Sequence, residues 1–168
     1  MSKIGLLSDS HGRSEITHQA VDVLVAHEAE VLIHLGDIGT VQVLDTLAVC
    51  AANGTAIEAR VVFGNCDWNQ APLAQYAHHI GVQVDHPCGR LPLEEGELAF
   101  CHGHEPAPMK RAMAKQVRYL CHGHTHCAID WHNGLTRVIN PGALFRASKR
   151  SVALLDTLTD RLQFFDCG

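Results

Sequence analysis

Several things are scarce in this sequence. Among its 168 residues there is no apolar run near the roughly 18 residues that a membrane span needs, so no membrane partner is expected. Basic residues are in the minority: 13 Lys and Arg against 18 Asp and Glu leave a net charge of −5, and Lys110-Arg111 and Lys149-Arg150 are the densest basic pairs. Such scatter excludes the basic stripe that an extended nucleic-acid surface requires. No Pro/Gly/Ser-rich linker or charge block divides the chain, which predicts one domain over residues 1–168. The stretch from Met1 to Ser10 lacks the basic-then-apolar pattern of a signal peptide, and the seven cysteines are odd in number. Free thiols in a reducing cytoplasm are therefore expected rather than a disulfide framework. Aromatic residues make up only 5%, yet histidines number 13. Histidine is the commonest metal ligand and titrates near neutral pH, so the composition points to chemistry.

The first third alternates strand and helix patterns. Lys3 to Ser8 is a short apolar run ending in Asp9-Ser10-His11-Gly12. Ser14 is placed to cap a helix with Ile16, Ala20, Val23 and Leu24 on one face. Val31 to Leu35 repeats the strand pattern up to Gly36-Asp37. Thr40 then caps a helix with Val43, Leu44, Leu47 and Ala51 inward, stopped by Asn53-Gly54, and Ile57 to Phe63 runs into Gly64-Asn65-Cys66-Asp67. This β-α-β-α-β order implies parallel strands with right-handed crossovers, whose ligands bind beyond the carboxyl ends of the strands. A helical stretch is expected around Pro72 to Ala77 and another over Pro108 to Gln116. Shorter strands follow at Gly81 to Asp85, Gly89 to Leu93, Glu97 to Cys101, Arg118 to Cys121, Ala128 to His132, Thr136 to Ile139, Val152 to Asp156 and Arg161 to Phe165. Asn133-Gly134 signals a hairpin. The expected architecture is α/β: two packed mixed sheets flanked by helices, the strand-rich C-terminal part forming a second sheet.

Five strand ends carry the polar groups Asp9-x-His11, Asp37, Asn65-x-Asp67, His102-Gly-His104 and His124-Thr-His126. Each is delivered to a sheet edge by a rigid element, where a preorganised site is best built. Carboxylate, amide oxygen and imidazole, without close Cys-x-x-Cys pairs, suit Mn, Fe(II), Co, Ni or Zn. One ion takes four to six ligands, and seven candidates fit two ions sharing a carboxylate better.

Asp9-Ser10-His11, Gly36-Asp37, Gly64-Asn65-Cys66-Asp67, Cys101-His102-Gly103-His104 and Gly123-His124-Thr125-His126, in this order, resemble the motifs of the calcineurin-like metallophosphoesterases. The small YfcE-type phosphodiesterases are the nearest group, and they share the fold of a retromer scaffold subunit. Asn140-Pro141-Gly142 is similar to the family's closing motif, so the resemblance covers nearly the whole chain. It implies the four-layer αββα sandwich, with one ion on Asp9, His11, Asp37 and His126 and a second on Asp37, Asn65, His102 and His124. Asp37 would bridge them. Two divalent cations against two carboxylates and a hydroxide leave the centre at roughly +1, which draws a phosphate to an otherwise acidic protein. The implied reaction is in-line attack on phosphorus by a hydroxide bridging the metals, with Mn foremost and Ni, Fe, Co or Zn as alternatives.

The resemblance also places Asn65, Cys66 and Asp67 in the catalytic machinery. Many relatives hold histidine where this chain has Cys66. A thiol has no cationic form to offer a poor leaving group, so small phosphodiesters with good leaving groups are the expected substrates, ahead of alkyl monoesters. Outside the five motifs, His34 reads as a structural residue within a strand, and His18, His27, His78, His79, His86 and His132 have no motif neighbours. His104 and His122 stand either as partners behind the ligands or as mere neighbours. Cys101 and Cys121 read as buried small residues, and Cys50, Cys88, Cys127 and Cys167 have no metal-binding spacing. Arg13 and Arg146 are open as contacts to substrate phosphate. Two rival readings stand beside the phosphodiesterase: a protein-interaction scaffold on the same fold, and a phosphomonoesterase or nucleotidase. A homo-oligomer is open as well.

Overall fold

The structure, a computed structural model, describes residues 3–168. Strand β1 (Lys3–Leu7) leads through α1 (Ser14–Ala26) to β2 (Val31–His34), and α2 (Val41–Asp45) leads to β3 (Glu58–Val61). These three strands pair in parallel, as their alternation with helices predicts. The rest of the chain runs α3 (Gln70–His79), β4 (Gln83–Val84), β5 (Cys88–Pro92), β6 (Glu97–Cys101), α4 (Pro106–Ala114), β7 (Tyr119–His122), β8 (Ala128–Asn133), β9 (Thr136–Pro141), β10 (Ser151–Asp156) and β11 (Arg161–Asp166). Two mixed sheets result, a six-stranded one ordered β11-β10-β1-β2-β3-β4 and a five-stranded one ordered β5-β6-β7-β9-β8.

Period-two alternation decides which side chains meet between the sheets. Ile4 and Leu6 of β1 and Val31 and Ile33 of β2 face Leu98 and Phe100 of β6, Tyr119 and Cys121 of β7 and Ile139 of β9 in one buried cluster. Leu7 and Leu32 point the other way and pack with Ala20, Val21 and Leu24 of α1 and Val43 and Leu44 of α2. A smaller cluster of Ala99, Leu120 and Val138 with Ala112 covers the outer face of the second sheet with α4. The layering is therefore helix, sheet, sheet, helix, as the sequence pattern implies.

The structure departs from the expectations in three places. The strand-rich C-terminal part does not form the second sheet alone: β10 returns to pair antiparallel with β1, and β11 follows it at the edge of the first sheet. Ser14 is the first residue of α1 rather than its cap, since the capping position falls on Arg13 and no side chain closes the helix end. The second helix stops at Asp45. Val43, Leu44 and Leu47 are buried as expected, but the Leu47 N–H bonds the Leu44 carbonyl, and the Ala51 N–H turns to the Thr55 carbonyl beside a Cys50–Ala56 bridge. Asn53-Gly54 is thus the tip of a turn in an extended excursion, not the end of a helix. All seven cysteines are free, with Cys101 and Cys121 buried. Among the described residues no helix is long and apolar enough to cross a membrane.

Candidate metal centre

The polar groups that follow β1, β2, β6 and β7 converge with those after β3 on one edge of the sandwich. The backbone there is unusual. Among the described residues, nine non-glycine residues have positive φ, and five of them are Asp9 (56°), His11 (45°), Asp37 (54°), His124 (66°) and His126 (57°). The left-handed region costs an L-residue roughly 1–2 kcal/mol, and such residues cluster where a site over-determines the chain. Cross-loop hydrogen bonds do so here: the Asp9 N–H bonds the Gly36 carbonyl and the His11 N–H the Asp37 carbonyl, at 3.0 and 2.8 Å.

Asp37 sits in the middle. Its Oδ2 lies 3.4 Å from His11 Nε2 and 3.6 Å from His102 Nε2, while Oδ1 accepts the Cys66 N–H at 2.8 Å. Asp9 is fully buried; its Oδ1 lies 3.2 Å from His126 Nε2 and its Oδ2 accepts the His124 N–H at 3.1 Å. Asn65 Oδ1 is 3.1 Å from His102 Nε2, whose other nitrogen, Nδ1, donates to the Leu35 carbonyl at 2.7 Å. That second bond fixes the tautomer and leaves Nε2 free for a cation. The His124 ring is 5.1 Å from that of His102 and exposed to solvent.

Ligand atoms of Asp9, His11 and His126 lie within 4.8 Å of one another, as do those of Asp9, Asp37 and His102, and those of His11, Asp37 and Cys66. The groups overlap through Asp9, His11 and Asp37, giving one continuous cluster; His124 belongs to none of the three. Three further observations fit a cation. Asp9 Oδ1 and His11 Nε2 are buried without a hydrogen-bond partner. Glycines line the cradle: a Cβ on Gly64 would fall 2.1 Å from Asp37 Oδ1, and one on Gly123 would fall 2.8 Å from Asp9 Oδ2. Burial works against ionisation of Asp37, but the facing His102, the Cys66 N–H and the His102 charge outweigh it and hold this carboxyl well below the usual range. An ionised carboxylate among imidazoles is the donor set a borderline divalent metal selects.

A family model for the calcineurin-like phosphoesterase superfamily domain matches residues 2–160. The chain belongs to that superfamily. It is 27% identical over 152 residues to the phosphodiesterase YfcE of Escherichia coli K12, a match that covers 86% of this chain and 80% of the relative. Against the phosphodiesterase MJ0936 of Methanocaldococcus jannaschii it is 25% identical over 162 residues, covering 92% of this chain and 93% of the other. A solved structure described as a novel archaeal phosphodiesterase shares the fold with a TM-score of 0.85 at 21% identity, covering 98% of this chain and 99% of that one.

Within this phosphoesterase site, Asp67 is held by backbone donors. Its oxygens accept the N–H groups of Ile38, Gly39 and Gly64 at 3.1, 2.8 and 2.8 Å, and the residue is 2% exposed. With its lone pairs so occupied, Asp67 clamps the β2 loop to the β3 loop. Cys66 is exposed, and burial of its thiol together with the charge of Asp37 raises its pKa. The thiol is therefore neutral at physiological pH.

Several supporting contacts depend on pairings across the fold that the sequence does not display. Gly36 N–H donates to His34 Nδ1 at 3.3 Å, which puts the ring proton on Nε2, 2.8 Å from Ser10 Oγ. Ser10 Oγ is in turn 2.9 Å from Thr17 Oγ1, itself 2.8 Å from the Arg13 carbonyl. This buried chain ties the first loop to the second. Asn140 holds the β7 loop through the Gly123 carbonyl and Thr125 Oγ1, at 2.9 and 3.0 Å, and His122 Nδ1 lies 3.0 Å from the Gly123 carbonyl. The Trp68 indole N–H is fixed on the Asn65 carbonyl at 2.7 Å, with the ring 90% exposed.

Proposed function

We propose that this protein is a two-metal phosphodiesterase. The observation that carries the reading is the position of Asp37 Oδ2, which faces His11 on one side and His102 on the other at 3.4 and 3.6 Å. Asp9, His11, Asp37 and His126 would hold one divalent ion, and Asp37, Asn65, His102 and His124 the other. The His124 side chain has to turn inward to complete the second set. Such ions, when bound, supply a water of lowered pKa and positive charge opposite the phosphoryl oxygens. The mixed oxygen and nitrogen set suits Mn, Ni, Fe, Co or Zn, and the family resemblance puts manganese first among them.

The protein's own part is positional and electrostatic. Left-handed backbone at Asp9, His11, Asp37 and His126 goes with ligand atoms that already lie within 4.8 Å of one another in overlapping groups before any ligand arrives. Asn65 is steadied by the Trp68 indole N–H on its carbonyl. Asp67 keeps the two central loops in register. Cys66 presents a neutral thiol where a leaving oxygen would depart, which favours diesters with good leaving groups over alkyl monoesters. The named relatives, both phosphodiesterases, support this substrate class.

Metal content of the purified protein, measured beside turnover of an aryl phosphodiester panel with added Mn or Ni, tests the reading. Two ions per chain with diester turnover are expected. Less than one ion per chain and no turnover with any metal would favour the scaffold reading, and faster turnover of monoesters would favour the phosphomonoesterase.

A further inference from the structure

A short stack of side chains stands beside the proposed centre and is used by none of the roles above. The Phe145 ring packs against His11 with 5.4 Å between centroids. Both Arg13 and Arg146 lie on this same ring, their guanidinium carbons 4.7 and 5.2 Å from its centroid. Both arginines are exposed, whereas Phe145 is half-buried.

Three features set this pair apart from ordinary surface cations. First, most of the other arginines are paired with carboxylates: Arg60 with Glu58 and Asp85, Arg90 with Glu97, Arg118 with Glu95, and Arg137 with Asp130 and Asp160. Among the described residues, Arg13 and Arg146 share the lack of such a partner with Arg111, Arg150 and Arg161, but only these two stack together on one ring. Second, two like charges on one ring repel each other, an arrangement that an anion placed between or above them relieves. Third, Arg146 is itself left-handed, with φ 51°, and its carbonyl lies 3.4 Å from His126 Nδ1. The strained residue therefore ties the stack to the donor set.

The stack's position says which anion it meets. Phe145 packs on His11, and both guanidiniums stack on that same ring rather than pairing with the carboxylates of the cluster. Through that ring they stand next to His11, one of the proposed ligands. We propose that Arg13 and Arg146, stacked on Phe145 beside His11, bind an anionic group of the substrate other than the phosphate under attack, so that the preferred diesters carry a second phosphate. The flat fork of a guanidinium matches a phosphate with two parallel hydrogen bonds, and the Phe145 ring holds both forks in place.

The proposal takes its substrate class from the phosphodiesterase reading, and its test separates the two. Affinities of thymidine 5′-monophosphate and thymidine 3′,5′-bisphosphate for the wild-type protein and for the double variant Arg13→Gln/Arg146→Gln are compared by calorimetry. A charged hydrogen bond is worth about 1.5–3 kcal/mol, so the wild type is expected to bind the bisphosphate at least about tenfold more tightly. In the double variant the ratio should fall to within about twofold of unity, with each single Gln variant in between, and in the wild type it should shrink with added salt. Equal affinities in the wild type, or a ratio that survives the double substitution, would overturn the proposal. Turnover of bis(4-nitrophenyl) phosphate by the wild type is the separate check: turnover with a ratio of one rejects the arginine site alone, and no turnover with an intact ratio rejects the enzyme and keeps the anion site.

Discussion

Gly64 and Asp37 approach so closely that a Cβ on Gly64 would fall 2.1 Å from the Asp37 carboxylate oxygen Oδ1 and 2.5 Å from the Asp37 backbone nitrogen. Neither atom is free to retreat, because Oδ1 holds the Cys66 N–H and the loop is clamped by Asp67. Gly64→Ala is therefore expected to displace the carboxylate proposed to bridge two ions. Overpacking of this kind costs about 1–3 kcal/mol. Denaturant unfolding should report that loss, and metal analysis should find fewer ions per chain. An alanine variant with full metal content would show that Asp37 is not the shared ligand.

Ion binding to the folded state alone should stabilise the protein by mass action. At a free concentration about 100 times Kd, each ion contributes about 2.7 kcal/mol, which in a domain of this size amounts to several degrees in Tm. Adding a chelator should lower the melting temperature of the wild type by that amount, and Asp37→Asn should shrink the difference to near zero. A wild type whose melting ignores the chelator would count against any resident metal.

His34 gives a pH dependence whose sign follows from its burial. Desolvation, with the nearby His102, depresses its pKa from 6.5 to about 3, so the folded protein keeps the ring neutral while the unfolded chain protonates it below about 6.5. Stability from this residue is fully present above pH 6.5 and is lost as pH falls toward 3, by up to about 1.4 kcal/mol per pH unit. Charging the ring would also set a donor against the Gly36 N–H that Nδ1 now accepts. Unfolding free energies of the wild type and His34→Gln, measured from pH 7.5 to 5, should converge on acidification. Parallel curves would mean that His34 is protonated in the fold.

Cys66 makes substrate preference testable through one side chain. Its raised pKa keeps the thiol neutral, whereas an imidazole there would offer a cation to the leaving oxygen. Cys66→His is expected to raise kcat/KM for alkyl phosphomonoesters relative to aryl diesters, by about tenfold or more given the usual worth of general acid catalysis. An unchanged ratio would remove Cys66 from substrate selection.

What the sequence made legible was the framework of strand ends. Apolar runs stopping at Asp9, Asp37, Asn65, His102 and His124 revealed both the parallel β1-β2-β3 core and the edge where their side chains gather, because burial and period-two alternation are local properties of the chain. Roles that depend on pairing across the fold were not legible. The resemblance places Asp67 in the catalytic machinery, but nothing local shows that two of its three N–H donors come from the loop of Ile38 and Gly39, 29 and 28 residues away. The His34–Ser10–Thr17 chain needs two adjacent strands and a helix in place before it exists. Phe145 gave no signal, since its meaning lies in the His11, Arg13 and Arg146 side chains around it. The early stop of α2 was hidden because its inward residues keep helical spacing while the hydrogen bonds change.

The left-handed backbone at the five candidate donors sets stability against function. Glycine at Asp9, His11, Asp37, His124 or His126 would release local strain while deleting a donor, so the loss of chemistry at these positions meets little resistance from folding and is even favoured by it. A descendant of this chain freed from the need to hold a ligand here would drift toward a sturdier, inert shell of the same shape.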